Sequence, residues 1–173
     1  GIGKQIQSDY KQTSSIDMEF VLMAVGRTSI GYVNEGIAEY SSRLKHYIPF
    51  SIQEIKDVKG GSGAAPERQK QLEGEAILSK INTSDMLVLL DERGREYTSM
   101  QFAAYLEKLQ VCGRKRIVFL IGGPYGFSDK VYERADAKIS LSKMTFNHEM
   151  VRLFFVEQIY RGMTILRGEP YHH

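Results

Sequence analysis

A glycine-dense turn after an apolar run is the part of the sequence with the clearest potential for ligand chemistry. Residues 116–120 (RIVFL) predict a buried strand, and the turn IGGPYG, with Gly122, Gly123 and Gly126, follows at once. Open α/β sheets bind ligands at the carboxyl ends of their strands, and glycine leaves backbone N–H and C=O groups open to a ligand. The turn therefore predicts a site that reads a nucleotide-like edge. Taken alone, the glycines are also explained by a tight turn without a ligand.

A polar loop is expected beside this turn. A short helix (128–135) and a strand (137–141) precede residues 142–148, so two neighbouring strand ends carry loops of small and polar residues. No Gly-Lys-Ser/Thr triplet follows the glycines, which excludes the phosphate-binding loop of the NTPases. The pattern favours recognition by the backbone groups of two adjacent loops.

The composition is that of an ordinary soluble globular protein. Of the 173 residues, 42% are hydrophobic and 25% are charged, and no apolar run approaches the ~20 residues of a membrane span. The single cysteine, Cys112, excludes an internal disulfide and has no companion metal ligands, so we expect a cytoplasmic protein without a bound metal. The net charge of +2 does not itself indicate nucleic-acid binding. The cluster at residues 114–116 (RKR) is either a solvated turn or a local basic patch.

Strands and helices alternate along the chain, which predicts an α/β fold with a largely parallel sheet. Residues 1–17 are polar and aperiodic, so we expect them to be disordered or to derive from an expression vector, and a single domain to span residues 18–173. The other expected elements are strands at 19–26, 51–58 and 86–90, a polar turn at 92–96, and helices at 32–47, from Pro66 onward and after a cap at Ser99.

The last predicted helix, residues 148–165, is apolar around most of its circumference. A surface helix is apolar on one face only, and a helix that is apolar nearly all round must be buried nearly all round. One face can pack on the sheet, and the rest is most easily covered by a second copy of the chain. The pattern therefore predicts a homodimer, with a helix internal to one chain as the alternative.

Several short motifs stand in a characteristic order along the chain. They are Val25-Gly26, Leu90-Asp91 with Gly94, Ile121-Gly122-Gly123-x-x-Gly126, Leu141-Ser142-Lys143-Met144-Thr145-Phe146 with His148 and Arg152, and Arg167-Gly168-Glu169-x-Tyr171-His172. In this order and spacing, the chain from Met18 onward resembles the SPOUT-class methyltransferases. Within that class it is similar to the bacterial family that methylates N3 of a pseudouridine in large-subunit ribosomal RNA. It departs from the family at Asn147, where proline is common, and at Arg95, where lysine is common.

The resemblance implies an α/β knot, in which a mostly parallel sheet carries a trefoil knot at the carboxyl end and the dimer forms on the knotted region. It also implies S-adenosylmethionine as the methyl donor and pseudouridine 1915 of 23S ribosomal RNA, in assembled ribosomes, as the substrate. Carried over by position, the cofactor contacts are Leu90, Gly122, Leu141, Ser142, Lys143, Met144, Thr145 and Phe146. Backbone groups of these loops can read the adenine edge while the apolar side chains cover its faces.

Methyl transfer to a ring nitrogen requires that nitrogen to be aligned with the methyl group and freed of its proton. The residues expected to be catalytic are His148, Arg152 and His172, because a histidine can accept the proton and an arginine can stabilise an anion or bind phosphate. His148 is equally compatible with a structural role at the helix start. Arg152, Tyr171 and His172 are also expected to bind the RNA, with the carboxyl-terminal tail completing the pocket of a neighbouring subunit.

Two other functions are compatible with the sequence. One is a SPOUT methyltransferase that acts on transfer RNA or on another ribosomal base, although the lack of an appended RNA-binding domain favours a structured ribosomal substrate. The other is a non-catalytic ribosome-assembly factor that retains the pocket. A Rossmann-type methyltransferase is disfavoured, because residues 25–28 (VGRT) lack the glycine-rich turn expected after its first strand.

Overall fold

Alternating strands and helices build the fold, as the apolar runs predict. The computed structural model describes residues 17–58 and 65–173. Apart from residue 17, the segment expected to be disordered or vector-derived lies outside these residues. In chain order the elements are β1 (Glu19–Val25), α1 (Gly31–Leu44), β2 (Phe50–Ile55), α2 (Pro66–Leu78), β3 (Met86–Glu96), α3 (Ser99–Gln110), β4 (Arg116–Ile121), α4 (Asp129–Arg134), β5 (Ala137–Ser140) and α5 (Met150–Leu166).

Within the described ranges, five strands form one sheet in the order β2-β1-β4-β3-β5, and every neighbouring pair is parallel. A parallel sheet is covered on both faces, so its central strands need apolar residues at every position. Strands β1 and β4 meet this requirement, since all of their residues after the first are buried. The prediction of an α/β fold with a largely parallel sheet is confirmed.

The two faces of the sheet have separate cores. Because successive side chains of a strand point to opposite faces, Phe20 and Leu22 of β1 pack with α1, α3 and α5, whereas Val21 and Met23 pack with α2 and α4. All four side chains are almost completely buried. Each such side chain stabilises the fold by about 1.5–3 kcal/mol relative to exposure, so residues of a single strand hold both helical layers on the sheet.

Helix α5 packs against α1 and α3, which accounts for much of its apolar circumference. Phe155 and Ile159 are fully buried within the chain, and the Phe155 ring lies 6.0 Å from the Phe102 ring of α3. On the outer side, Phe154 is 40% exposed. Packing within one chain therefore explains the apolar residues at the buried positions of α5. The predicted homodimer can bury only the apolar residues that remain exposed, such as Phe154.

The polar turn expected at residues 92–96 is wrong, because these residues continue strand β3. Glu96 pairs with Ser140 of β5 beyond an irregularity in the strand register, and this pairing is not visible in a local pattern. Gly94 permits the close approach of the two strands. A Cβ atom at this position would lie 2.6 Å from the backbone of Ile139, closer than side-chain carbons pack in proteins.

The starts of α3 and α5 also differ from the prediction. Helix α3 is capped by Thr98 and not by Ser99, because the Thr98 hydroxyl accepts the Gln101 N–H while the Gln101 side chain accepts the Thr98 N–H. This reciprocal arrangement satisfies two N–H groups that the helix leaves free. Helix α5 begins at Met150, two residues after its expected start.

The carboxylate of Glu149 joins the start of α5 to the start of α1. It accepts the backbone N–H of Ser29, the Ser29 hydroxyl at 3.0 Å and the backbone N–H of Ile30 at 2.9 Å. Backbone N–H groups at a helix start have no partner within the helix, and a negative charge is favourable there. These hydrogen bonds, the one from Ile30 foremost, hold the pKa of Glu149 below its usual value.

We expect Glu149→Gln to lower the free energy of unfolding at neutral pH, because a neutral amide accepts these hydrogen bonds more weakly than a carboxylate. A lowered folded-state pKa contributes stability that is fully present above the usual value of 4.5 and is lost as the pH falls through the folded-state value. Denaturant unfolding at neutral and acidic pH checks this, and the deficit of the variant should shrink in acid.

The matched control is Glu107→Gln, at an exposed position of α3. This variant should unfold like the wild type at both pH values. A deficit of Glu149→Gln that is equal in acid and at neutral pH would contradict the role of the charge at the start of α1.

Candidate functional site

A cleft of about 680 Å³ opens at the carboxyl ends of β3, β4 and β5, within the size range of small-molecule sites. The loops after these strands meet here because parallel strands end at one edge of the sheet. The Lys143 ammonium points elsewhere and lies 3.8 Å from the Glu96 carboxylate. The other residues predicted to contact a cofactor all line the cleft, namely Leu90, Gly122, Leu141, Ser142, Met144, Thr145 and Phe146.

The glycine turn after β4 is fixed by a hydrogen bond to Glu73 of α2. The Gly123 N–H donates to Glu73 Oε1 at 2.9 Å, and the Gly126 N–H donates to the Gly123 carbonyl at 3.2 Å. Gly126 has a φ of +79°, which favours glycine. A Cβ atom on Gly122 would lie 2.8 Å from the Phe127 ring. The turn therefore needs glycine for its own geometry, and the same glycines leave backbone groups open at the cleft.

Sequence reasoning missed Glu73, although it is only 5% exposed. Burial raises the pKa of its carboxyl, the Gly123 N–H lowers it in part, and the charge of Asp57 raises it further. The available signal was a glutamate on the inner side of a helix, next to the apolar positions 76 and 77. A buried carboxylate is costly without a hydrogen-bond partner, so such a residue predicts a specific contact.

A polar cluster borders the cleft where β3 departs from regular pairing with β5. Asp91 accepts hydrogen bonds from the Tyr132 hydroxyl and, at 2.9 Å, from the Arg93 N–H. Burial and the bond to Asp91 raise the pKa of Tyr132 to about 12, so this hydroxyl remains a donor at neutral pH. Neither Asp91 nor Tyr132 is among the predicted contacts, yet both line the cleft. A carboxylate directly after an apolar strand was the sequence signal for Asp91.

The loop after β5 presents apolar side chains at the mouth of the cleft. Met144 is 78% exposed and Phe146 is 36% exposed. The Met144 N–H donates to the Ser142 hydroxyl at 3.0 Å, and the Phe146 ring lies 5.3 Å from the Phe154 ring of α5. These contacts fix a loop whose apolar side chains are free to cover the face of a flat ring.

His148 lies at the same cleft, in the turn that precedes α5. Its side chain is 66% exposed, and Nε2 is 3.8 Å from the Glu149 carboxylate. Because Glu149 is itself bound to the start of α1, the backbone beside His148 is anchored while the imidazole remains accessible. The structure thus brings His148 together with the predicted cofactor residues.

Arg152 is buried and does not line the cleft, which corrects the expectation that its guanidinium is open to RNA. Its side chain is 2% exposed. The guanidinium donates to the carbonyls of Val25 at 2.8 Å and Gly26 at 2.9 Å and to the Thr28 hydroxyl at 2.8 Å. Burial lowers the pKa of this guanidinium, and nearby carboxylates partly offset the effect. In this conformation Arg152 fixes α5 to the end of β1 and is closed to a phosphate.

The carboxyl-terminal tail packs on helices of its own chain. The Tyr171 hydroxyl donates to Glu157 of α5 at 2.9 Å and lies 3.2 Å from the hydroxyl of Tyr40 of α1. His172 Nδ1 lies 3.1 Å from an Arg161 nitrogen. Neither tail residue lines the cleft described above, so their predicted contribution to a substrate site concerns a surface outside it.

Within residues 17–58 and 65–173, no group of three or more histidine, cysteine, aspartate and glutamate residues is arranged to hold a metal ion. No helix there has the length and apolar character needed to cross a membrane.

Comparison with known proteins places this geometry in a family. The family model described as "Predicted SPOUT methyltransferase" matches residues 18–172. A protein of Parabacteroides distasonis named Ribosomal RNA large subunit methyltransferase H is 56% identical over 156 residues, which are 90% of this chain and 99% of the relative. Proteins of the same name from Porphyromonas gingivalis and Bacteroides fragilis are 53% and 52% identical over the same shares. A family match over nearly the whole chain, with loops that meet at one cleft, means that the chain belongs to the SPOUT methyltransferase family.

Proposed function

We propose that this protein transfers a methyl group from S-adenosylmethionine to N3 of pseudouridine 1915 in 23S ribosomal RNA of the bacterial large subunit. The observation that carries the proposal is the cleft at the ends of β3, β4 and β5, which is lined by residues of the family motifs. Relatives matched over 99% of their length are named as large-subunit ribosomal RNA methyltransferases. The site of action is accordingly the cytoplasm.

The lining of the cleft fits S-adenosylmethionine chemically. Leu90, Leu141, Met144 and Phe146 offer apolar cover for an adenine ring, while backbone groups at Gly122 and in residues 141–146 offer donors and acceptors for its edge. The cofactor supplies a methyl group on a positively charged sulfur. The carboxylates that border the cleft, at positions 91 and 92, complement that charge. Ser142, Lys143 and Thr145 belong to the same proposed binding loop.

The protein's own contribution to the reaction is mainly positioning. The acceptor N3 must be in line with the methyl group and must release its proton as the new N–C bond forms and the bond between the methyl carbon and sulfur breaks. His148 is exposed at the cleft and is the proposed acceptor of that proton. Arg152, buried one helical turn later, acts as a positioning residue because it fixes α5 and thereby the turn that carries His148. Tyr171 and His172 are the proposed RNA contacts.

The proposed dimer is supported by an exposed apolar surface next to the cleft. A groove of about 410 Å³ lies between α3, β5 and α5. It is lined largely by aromatic and aliphatic side chains, among them Tyr97, Phe102, Leu141, Phe146 and Phe154. Contiguous exposed apolar surface of this kind is typical of an interface.

Deletion of the gene is expected to remove one methylpseudouridine from 23S ribosomal RNA. Nucleoside and fragment mass spectrometry of ribosomal RNA measures this, and expression of the wild-type protein should restore the modification at position 1915. Loss of a methyl group from transfer RNA or from another ribosomal base would establish the other substrate class instead. Unchanged methylation together with defective subunit assembly would establish the assembly factor.

Gly122→Val is expected to weaken S-adenosylmethionine binding at least about 10-fold, a loss of ~1.4 kcal/mol. A branched side chain would overlap the Phe127 ring, so either the ring or the turn must shift into the cleft. Calorimetry measures the affinity, and circular dichroism checks the fold. The matched control is Gly31→Val, where an added Cβ meets no atom within 4 Å. Equal affinity in folded Gly122→Val and in Gly31→Val would place the cofactor elsewhere.

Phe154→Glu is expected to convert the dimer into folded monomers, because it places a charge in the exposed groove without disturbing the core. Light scattering coupled to size-exclusion chromatography measures the mass. Val111→Glu is the control, since Val111 is 80% exposed and lies outside the groove. Phe155 and Ile159 are unsuitable positions, because both are fully buried within one chain. Dimers of unchanged mass in Phe154→Glu would exclude the groove as the interface.

A further inference from the structure

The carboxyl-terminal tail is held by a side-chain network centred on Glu157 of α5. Glu157 Oε1 accepts two hydrogen bonds, one from the Tyr171 hydroxyl at 2.9 Å and one from an Arg161 nitrogen at 2.7 Å. The Arg161 guanidinium also lies over the Tyr171 ring, 4.9 Å from its centroid. Burial raises the pKa of Tyr171, and its bonds to Tyr40 and Glu157 raise it further. The phenol therefore remains a hydrogen-bond donor at neutral pH.

The same network determines which nitrogen of His172 carries the hydrogen. Arg161 Nη1 lies 3.1 Å from His172 Nδ1. A guanidinium has five N–H donors, no acceptor, and does not lose its proton in proteins. The bond therefore requires Nδ1 to be the acceptor. A histidine with a bare Nδ1 is neutral and carries its hydrogen on Nε2.

The orientation of Arg161 is fixed independently of His172. Its second terminal nitrogen is bound to Glu157, one helical turn earlier, and both side chains are largely buried at 26% and 17% exposure. A charged pair with this geometry on a rigid helix holds the remaining N–H groups of the guanidinium in place. The His172 ring thus meets a donor that cannot rotate away without breaking an ion pair.

We propose that Arg161 holds His172 as the neutral tautomer with hydrogen on Nε2, so that His172 donates a hydrogen bond to the target base and does not accept its proton. A general base needs a free lone pair on the nitrogen that faces the substrate, and in this tautomer the hydrogen on Nε2 blocks that lone pair. The acceptor is a carbonyl oxygen of the uracil-type ring, which gains negative charge as N3 loses its proton and is stabilised by a fixed donor. The substrate in this statement rests on the proposed function, whereas the tautomer does not.

His172 Nε2 is available for this contact. Among the described residues, the hydrogen bonds of the His172 ring are confined to Nδ1, and the side chain is partly exposed. Removal of the N3 proton then falls to another group, and His148, which is 66% exposed at the cleft, is the one that the geometry offers. The two histidines consequently have different roles in the reaction.

Side-chain replacement separates a donor from a base. The amide nitrogen of Gln occupies the place of Nε2–H but cannot take up a proton, whereas the shorter Asn does not reach it. His172→Gln should retain kcat within about 10-fold, while His172→Asn and His172→Ala lose about 100-fold, as expected for removal of one donor to a developing oxyanion. Equal loss in all three variants would overturn the donor role. A loss confined to KM would move the contact from the base to an RNA phosphate and would likewise overturn it.

The tautomer is measured on the free protein, without RNA or activity. Nitrogen-15 NMR of the histidine rings distinguishes protonated from bare Nδ1, and the His172→Gln variant assigns the signal. We expect a single Nε2–H tautomer in the wild type and a mixture in Arg161→Met. An Nδ1–H tautomer in the wild type, or no change in Arg161→Met, would overturn the proposal. Wild-type protein that fails to methylate ribosomes would overturn the proposed function, and the NMR result would still decide the tautomer.

Discussion

The functional edge of the fold depends on the hydrogen bonds that the buried guanidinium of Arg152 donates to the end of β1. A parallel sheet leaves the last carbonyls of its strands without partners at one edge, and Arg152 supplies donors to those of Val25 and Gly26 at the end of β1. Three residues earlier in the chain, Glu149 accepts hydrogen bonds from the backbone N–H groups of Ser29 and Ile30 at the start of α1. The start of α5 therefore binds two other elements: the Arg152 guanidinium binds the end of β1, and the Glu149 carboxylate binds the start of α1.

This double attachment explains how a loop rich in exposed residues can form a defined site. The residues between β5 and α5 pack little, since all six positions 143–148 are exposed. Their ends are nevertheless fixed, on one side by the pairing of Ser140 with β3 and on the other by Glu149 and Arg152. The glycine turn opposite is fixed in the same manner by the buried carboxylate of Glu73. Each wall of the cleft is thus held by buried polar side chains that bind backbone groups, which leaves the exposed atoms free for a ligand.

The sequence alone predicted those parts of the fold that have a local signature. The apolar run at residues 86–90 identified β3, and the glycines after β4 identified one wall of the cleft. The continuation of β3 to Glu96 has no such signature, because polar residues there are stabilised by pairing with a strand more than 40 positions later. The burial of Arg152 was missed for the same reason. Helical spacing places it near His148, but the carbonyls that bind it lie 126 and 127 positions away in the chain. The contact of Glu73 did have a local signal, because a glutamate next to the apolar inner positions 76 and 77 of a helix predicts a buried carboxyl with a specific partner.

Helix α5 lies between the two histidines that are proposed to act on the substrate. His148 precedes the first turn of α5, whereas His172 is bound to Arg161 near its other end. His148 lines the cleft, whereas His172 of the same chain does not. A proton acceptor at His148 and a donor at His172 can therefore serve one pseudouridine if the tail that carries His172 comes from a second copy of the chain. The proposed homodimer supplies that arrangement, and it gives the tail a function that its packing against its own helices does not.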